Sequence, residues 1–167
     1  MKNNKIDIKY LKDQSTEYFQ LSPFFIFTQE IEFQNCKFKS VYIFLEALKI
    51  EDEDKRQIFL EYYLDIEKIK ELYKIQSNEK LKYTSKFNKK EIDSIFFNNQ
   101  KIDIKSIELK IMLKNLIISI CAYDIGFKYA LLSKRYSNLE FSELDSYTNL
   151  KYLTSEEYFQ ILVSSLI

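Results

Sequence analysis

The longest helix signal of this chain covers residues 103–123 and strongly constrains its fold. Its apolar side chains recur at helical spacing, so the pattern predicts a helix over this range. The main apolar stripe of that helix consists of Leu109, Leu113, Leu116, Ile117 and Ile120. Between Ile111 and Cys121 the sequence is apolar almost all round. Because a helix that is apolar on every side is normally buried, we predict that this is the central helix of the core.

Shorter helix and strand signals fill most of the remaining chain. Helices are predicted over roughly residues 40–50, 53–64, 65–76, 127–135 and 154–167, and strands near residues 6–11, 24–33 and 138–142. The last helix opens on a capping box formed by Thr154 and Glu157. A chain of 167 residues, 46% of them hydrophobic, is long enough for one sizeable core. We therefore predict a single α+β domain over residues 1–167, predominantly helical with a small sheet.

The predicted sheet begins at the aromatic segment 24–28, whose residues are strand-prone. A turn at residues 29–30 lets the segment 31–33 pair back onto it. The Gln-Asn dipeptide at 34–35 is a second candidate turn, because Asn tolerates the left-handed backbone conformation.

The helix predicted over residues 40–50, with Ser40 as its N-cap, has two different faces. Its apolar face is predicted to be buried and consists of Val41, Phe44, Leu45 and Leu48. Tyr42, Glu46 and Lys49 share the second face. A cleft in this protein is expected to be lined by that second face.

The residue types that are missing exclude several kinds of chemistry. The chain has no histidine, and hence no imidazole base or histidine metal ligand. A single glycine, Gly126, excludes glycine-rich phosphate loops. Two cysteines, Cys36 and Cys121, cannot supply the ligands of a zinc site by themselves. We predict that both are buried free thiols, as expected in a reducing compartment. The acidic run 51–54 fits a helix N-terminus better than a metal site. We therefore expect no metal and no cofactor.

A lysine-rich segment between Lys68 and Lys90 is the candidate surface for nucleic acid. It carries eight lysines against Glu71 and Glu79, with aromatic residues between them. Lysines neutralise phosphates and aromatic rings stack on bases, so the candidate residues are Lys74, Lys80, Lys82, Lys86, Lys89 and Lys90. The competing interpretation is a solvated helix face and loop. The net charge of zero gives no global attraction to nucleic acid, which makes such a partner the weaker expectation.

The apolar runs are all shorter than a membrane span of about 20 residues, and the first ten residues have no signal-peptide core. These patterns predict a soluble, cytoplasmic protein without a membrane partner.

Two parts of the chain resemble the NADAR family, whose name stands for NAD- and ADP-ribose-related. The segments LSPF at 21–24 and FQNCKFKSVYIFLEALK at 33–49 resemble its N-terminal Leu-Ser-Asn-Phe motif and the helix that ends in Ala-x-Lys. The segment 108–128 looks like the long central helix of the family. The segment 130–147, which ends in Asp145-Ser-Tyr147, looks like its short helix, strand and Asp-x-Tyr-Trp-Gly motif.

The resemblance implies an N-glycosidase scaffold with an altered site. Lys49, Asp145 and Tyr147 match the family pattern. Other positions depart from it: Pro23 replaces Asn, Tyr42 and Ile43 replace the acidic residue and His, and Thr148 and Asn149 replace Trp-Gly. Cleavage of a glycosidic C–N bond needs carboxylates to stabilise an oxocarbenium-like centre and to handle the proton. The resemblance leaves one, Asp145, and a phenol is a poor base near neutral pH.

The leading hypothesis is therefore a non-catalytic NADAR-like protein that binds a nucleotide or ADP-ribose-type ligand or a protein partner. The tyrosine content, 13 residues, is compatible with an interaction surface. The first alternative is an active N-glycosidase in which Glu46 and Asp145 share the catalysis. The second alternative is a nucleic-acid-binding protein. For the leading hypothesis and the first alternative, the predicted cleft is lined by Tyr42, Glu46, Lys49, Asp145 and Tyr147.

Overall fold

A computed structural model of the protein describes residues 4–6, 19–78, 93–134, 139–141, 153 and 155–165. The strands are β1 (Asn4–Ile6), β2 (Ile31–Phe33), β3 (Cys36–Phe38), β4 (Ser94–Phe97), β5 (Gln100–Asp103) and β6 (Leu139–Phe141). The helices are α1 (Val41–Ala47), α2 (Glu53–Tyr62), α3 (Ile66–Asn78), α4 (Ile107–Tyr123), α5 (Ile125–Lys134) and α6 (Ser155–Ser164), with a 3-10 turn at Phe19–Leu21. This mixture of helices and short strands confirms an α+β architecture.

The predicted central helix is α4, and it starts later than expected because Ser106 is its N-cap. The Ser106 hydroxyl accepts a hydrogen bond from the Leu109 amide at 3.4 Å. All five residues of the predicted stripe are buried, and α4 contacts α5, α6, β2 and β5. The expectation of burial on every side is wrong, because Ile111 and Ile118 are exposed. The described chain covers only one side of the helix at these positions.

The first hairpin pairs β2 with β3 in antiparallel fashion, with Ile31 opposite Phe38. Its turn is the predicted one at Gln34 and Asn35, whose φ angles of 46° and 67° are left-handed. The predicted pairing of residues 24–28 with β2 is wrong. That segment has no strand, and its buried Phe24 and Phe27 side chains fill the core instead.

A second hairpin, β4 with β5, was not predicted. It turns at Asn98 and Asn99, whose φ angles are 49° and 60°. The Asn98 side-chain amide donates to the Gln34 side-chain oxygen at 2.6 Å, so the two hairpin turns are joined. The Phe96 amide also donates to the Leu48 carbonyl at 2.8 Å, which ties this hairpin to the end of α1.

The third pair of strands joins two distant parts of the chain, because β1 runs parallel to β6. The strand predicted near 138–142 is confirmed as β6. The N-terminal strand begins at Asn4, and residues 7–11 of its predicted range lie outside the described residues. The predicted cap residue of α6, Thr154, also lies outside them, whereas α6 itself is confirmed.

The first three helices begin close to the predicted positions. α1 ends at Ala47, before the predicted residue 50, and six of its seven residues are buried. The side chain of Asp52 caps α2 by accepting from the Lys55 amide at 2.9 Å. Glu53 and Asp54 lie in the first turn of α2, where their charges complement the helix dipole.

One hydrophobic cluster of buried residues links these elements. It joins Phe44 of α1, and Leu48 directly after that helix, to Leu113, Leu116, Ile117 and Ile120 of α4, as predicted. Of the described helices, no single one is both long and apolar enough to cross a membrane. In the described part of the chain, one pair of helices meets those limits together: α4 with residues 125–132 of α5, a pair bent by 118°.

Candidate functional site

Tyr42, the first residue of the predicted cleft, is fully buried with 0% of its surface exposed. Its ring centroid lies 4.8 Å from that of Phe24 and 5.8 Å from that of Tyr73. Its backbone amide donates to the Pro23 carbonyl at 2.8 Å. The ring is therefore part of an aromatic cluster beneath α1, and a ligand would reach it only if its neighbours moved aside.

Glu46 and Lys49 are brought together by the structure. Lys49 Nζ donates to Glu46 Oε1 at 2.8 Å, and the side chains of Lys49 and Glu46 are 17% and 21% exposed. Among the predicted cleft residues that the structure describes, this half-buried ion pair provides the charged groups. The other two predicted site residues, Asp145 and Tyr147, lie outside the described residues.

A buried hydroxyl pair under α1 was not predicted. Ser40 Oγ donates to the Pro23 carbonyl at 2.8 Å and lies 2.5 Å from the Tyr73 hydroxyl. Because a serine hydroxyl has one proton to donate, Tyr73 donates to Ser40 in this arrangement. Ser40 thus stands at the N-cap of α1 without accepting a hydrogen bond from that helix. Residues 33 positions apart carry no sequence signal for such a pair.

Burial raises the pKa of the Tyr73 phenol far above its ordinary value, and the Glu46 carboxylate raises it further. The hydrogen bond with Ser40 opposes this shift but does not cancel it. Tyr73 is therefore neutral at physiological pH and cannot act as a base toward Ser40. The Ser40–Tyr73 pair is a structural link between α1 and α3, and it does not form an activated nucleophile.

The two cysteines are weak nucleophiles for the same physical reason. Burial raises the pKa of the Cys36 thiol, although the nearby Arg56 guanidinium and the Gln57 side chain lower it. Burial also raises the pKa of the half-buried Cys121 thiol, which Lys128 partly offsets. A thiol with a raised pKa has little thiolate at neutral pH. Neither cysteine has the character of a catalytic residue.

Arg56 is a buried cation with a structural role. Its guanidinium donates to the Ile50 carbonyl through Nε at 3.1 Å and Nη2 at 2.8 Å, and to the Glu51 carbonyl at 3.2 Å. These bonds fix the loop between α1 and α2. Because its donors are directed at backbone oxygens, Arg56 is not presented to a ligand.

Of the six lysines predicted to contact nucleic acid, only Lys74 lies in the described part of the chain. It is exposed on α3. The remaining five, Lys80, Lys82, Lys86, Lys89 and Lys90, lie outside the described residues, so the nucleic-acid hypothesis stays a prediction.

A groove of about 290 Å³ runs between α4 and α6. Its floor is apolar and consists of Leu109, Leu113, Leu153 and Ile161. Lys110 and Lys114 stand on the α4 side, and Glu157 and Gln160 stand on the α6 side. An apolar floor between charged rims is suited to binding an amphipathic segment.

A more polar hollow of about 390 Å³ lies between the first hairpin and α2. Its lining includes two carboxylates, Glu30 and Glu61, together with Lys37 and Gln57. Within the described ranges, no three or more His, Cys, Asp or Glu side chains are grouped so that they could hold a metal ion.

The exposed apolar side chains are concentrated on α4 and α5. Seven of the nine large apolar side chains that are exposed in the described chain lie there: Ile107, Ile111, Ile118, Tyr123, Ile125, Tyr129 and Leu132. Scattered exposed apolar residues are ordinary, but a concentration on adjacent elements is typical of an interaction surface. Ile107, Ile111 and Ile118 are spaced by four and then seven residues, which places them on one face of α4. This spacing could have indicated a second, exposed apolar face, but we predicted burial on every side.

Comparisons with known proteins return no relative: no protein-family model, no curated protein and no solved structure matches the chain.

Proposed function

We propose that this protein is a non-catalytic interaction module that binds a protein partner through the exposed apolar side chains of α4 and α5. The observation that carries this proposal is the concentration of seven exposed apolar side chains on these two helices. On each helix they recur at helical spacing: Ile107, Ile111 and Ile118 on α4, and Ile125, Tyr129 and Leu132 on α5. An apolar stripe on a helix surface is the usual way in which helices recognise one another.

The absence of an activated group among the described candidates supports the non-catalytic part. Tyr42 and Tyr73 are buried and the phenol of Tyr73 is neutral, while Glu46 is engaged by Lys49. General acid–base catalysis needs a titrating group within reach of the substrate. The three described residues of the predicted cleft include one carboxylate, which is already held in an ion pair.

Site-specific photo-crosslinking tests the interaction surface. A photoreactive amino acid replaces Ile118 or Tyr129 in turn, and Ile58 on α2, which is 66% exposed, is the matched control. The proposal expects covalent adducts of one defined mass from the α4 and α5 positions and none from position 58. Equal labelling at all three positions, or no adduct at any, would contradict it.

An enzymatic assay tests the non-catalytic part. The purified protein should release neither base nor ribose from ribosylated nucleotides or ADP-ribosylated substrates. Turnover that falls roughly a hundredfold or more in Asp145→Asn would replace the proposal with the N-glycosidase alternative.

A nucleotide or ADP-ribose-type ligand is the second candidate. The half-buried Glu46–Lys49 pair favours it, because the NADAR resemblance assigns Lys49 to the same cleft as Asp145 and Tyr147. A ligand that binds the native state raises its melting temperature. ADP-ribose should therefore stabilise the wild type and have a smaller effect on Lys49→Met; an equal effect on both would remove this candidate.

A further inference from the structure

The groove between α4 and α6 is narrow at its floor. The four floor side chains, Leu109, Leu113, Leu153 and Ile161, are each at most 7% exposed, so only a thin ligand reaches them. A helix, which is about 10 Å wide with its side chains, is too broad to do so. The groove volume of about 290 Å³ is close to the lower end of small-molecule sites, which hold roughly 300–1,000 Å³. These dimensions favour a small apolar chain over a peptide.

Two lysines on α4 give one side of this groove a positive charge. Lys110 and Lys114 are one helical turn apart and follow directly on the floor residues Leu109 and Leu113. Lysine side chains bury their aliphatic stems and keep the ammonium group at the edge of an apolar surface. Within the described residues neither lysine has an ion-pair partner, although Lys114 is half-buried. Two such cations at one rim attract an anionic group.

Glu157, on the opposite rim, limits the charge of that anionic group. It forms no ion pair with Lys110 or Lys114 in the described part of the chain. Two ammonium groups and one carboxylate leave the described lining with a single net positive charge. A singly charged head group therefore neutralises the site, whereas a second negative charge would be repelled by Glu157. A carboxylate fits this requirement, because its two oxygens can accept hydrogen bonds from both ammonium groups.

The length of the groove sets the length of the chain that it holds. The lining positions on α6 run from Glu157 to Ser164, which is about 10 Å at 1.5 Å per residue. The acyl chains of one membrane leaflet span about 15 Å, half of the hydrocarbon core. A chain of about two thirds of that length fills the groove, as in octanoate or decanoate.

We propose that the groove between α4 and α6 binds a monomeric medium-chain carboxylate. Its alkyl chain lies on the apolar floor, and its head group lies between Lys110 and Lys114. This inference goes beyond the proposed function and does not depend on it, because it concerns a small molecule and a different surface.

Calorimetric titration of the full chain with soluble ligands tests the site. Affinity should rise about fourfold per methylene from hexanoate to octanoate, since each methylene is removed from water on the floor. Octylamine, which has the same chain length and the opposite charge, should bind at least about tenfold more weakly than octanoate. Equal binding of octylamine and octanoate, or no binding of octanoate and decanoate at about 1 mM, would overturn the proposal.

Paired charge variants separate the site from general electrostatic attraction. Lys110→Met with Lys114→Met keeps the aliphatic stems and should weaken octanoate binding roughly tenfold while leaving octanol binding unchanged. Lys55→Met with Lys74→Met removes the same charge from exposed positions on α2 and α3 and should have no effect. Circular dichroism checks that both double variants are folded. Equal weakening by the two pairs would refute a site at the groove.

Methyl NMR locates the bound chain. Octanoate should shift the methyl resonances of Leu109, Leu113 and Ile161 and leave those of Ile58 on α2 unchanged. Absence of shifts at the three floor residues would overturn the proposal, as would binding to phosphatidylglycerol vesicles without binding of octanoate, which would assign the lysines to a lipid surface.

These outcomes are independent of the photo-crosslinking test of the proposed function. That test reads adducts at Ile118 and Tyr129, which are not among the lining residues of the groove. A protein that binds octanoate but forms no adducts would refute the interaction module alone. A protein that forms adducts but binds no octanoate would refute the carboxylate site alone.

Discussion

The hydroxyl groups of Ser40 and Tyr73 lie 2.5 Å apart in the interior, joining the start of α1 to α3. The Ser40 hydroxyl also donates a hydrogen bond to the Pro23 carbonyl, and that carbonyl accepts a second hydrogen bond from the Tyr42 amide. Three segments that are distant in sequence therefore meet at one polar point inside an aromatic cluster. Such buried hydrogen bonds contribute modestly to stability but fix the relative positions of the elements that they join.

Removing either hydroxyl should destabilise the protein. Tyr73→Phe deletes one hydrogen bond and should cost about 1 kcal/mol. Ser40→Ala removes both the acceptor of Tyr73 and the donor to Pro23, and should cost about 1–3 kcal/mol. Urea unfolding of the two single variants and the double variant gives their coupling energy, expected to be roughly 1 kcal/mol. Additive effects in the double variant would show that the two hydroxyls do not interact.

The buried tyrosines predict a loss of stability at alkaline pH. Burial raises the pKa values of Tyr73 and Tyr158 in the folded state above their ordinary value of 10.0. Above pH 10 the unfolded chain therefore binds fewer protons than the native state, and the free energy of unfolding falls as pH rises. Each phenol contributes up to about 1.4 kcal/mol per pH unit to this slope. The contribution is constant below pH 10, where both states are protonated.

Urea unfolding between pH 8 and pH 11 measures that slope. Tyr73→Phe should make it shallower than in the wild type, and Tyr158→Phe should do the same. Tyr129→Phe is the matched control, because that ring is 64% exposed. A slope that is the same in Tyr73→Phe and the wild type would contradict the assignment of a buried, neutral phenol.

The left-handed backbone conformation of Asn35 allows the turn of the first hairpin to be tested by substitution. Its φ of 67° suits Gly better than Asn and is costly for β-branched residues. Asn35→Gly should stabilise the fold by a few tenths to about 1 kcal/mol, because Asn-Gly-type turns suit two-residue hairpins best. Asn35→Val should destabilise it by about 1–2 kcal/mol. Thermal unfolding distinguishes these outcomes, and a Val variant as stable as the wild type would argue against this turn.

The sequence predicted the parts of the fold that depend on local pattern. Most helices begin near the predicted residues because capping and apolar spacing act within one or two turns, as at Asp52. The second hairpin escaped prediction because its strands have four residues each and little alternation of polar and apolar residues. Its position is set by a distant contact, the Phe96 amide with the Leu48 carbonyl.

The candidate site, like the fold, was predictable only where it depends on residues close together in the sequence. The contact between Glu46 and Lys49 follows from their three-residue spacing on one helix. The burial of Tyr42 does not follow from spacing, because α1 is enclosed on almost every side by elements from elsewhere in the chain. Helical periodicity identifies the most apolar face but not how many faces are covered. The same limitation explains why the exposed side of α4 was missed.

Two adjacent isoleucines on α4 provide a matched pair for testing the core. Ile117 is 1% exposed and belongs to the hydrophobic cluster, whereas Ile118 faces outward. Ile117→Asp places an uncompensated charge in the core, at a cost of several kcal/mol that is comparable to the whole stability of a small domain. This variant should therefore fail to fold, whereas Ile118→Asp should fold and melt cooperatively. Soluble expression and thermal unfolding monitored by circular dichroism compare them directly. Because both substitutions have the same helix propensity and chemistry, equal behaviour of the two variants would show that the orientation of α4 is wrong.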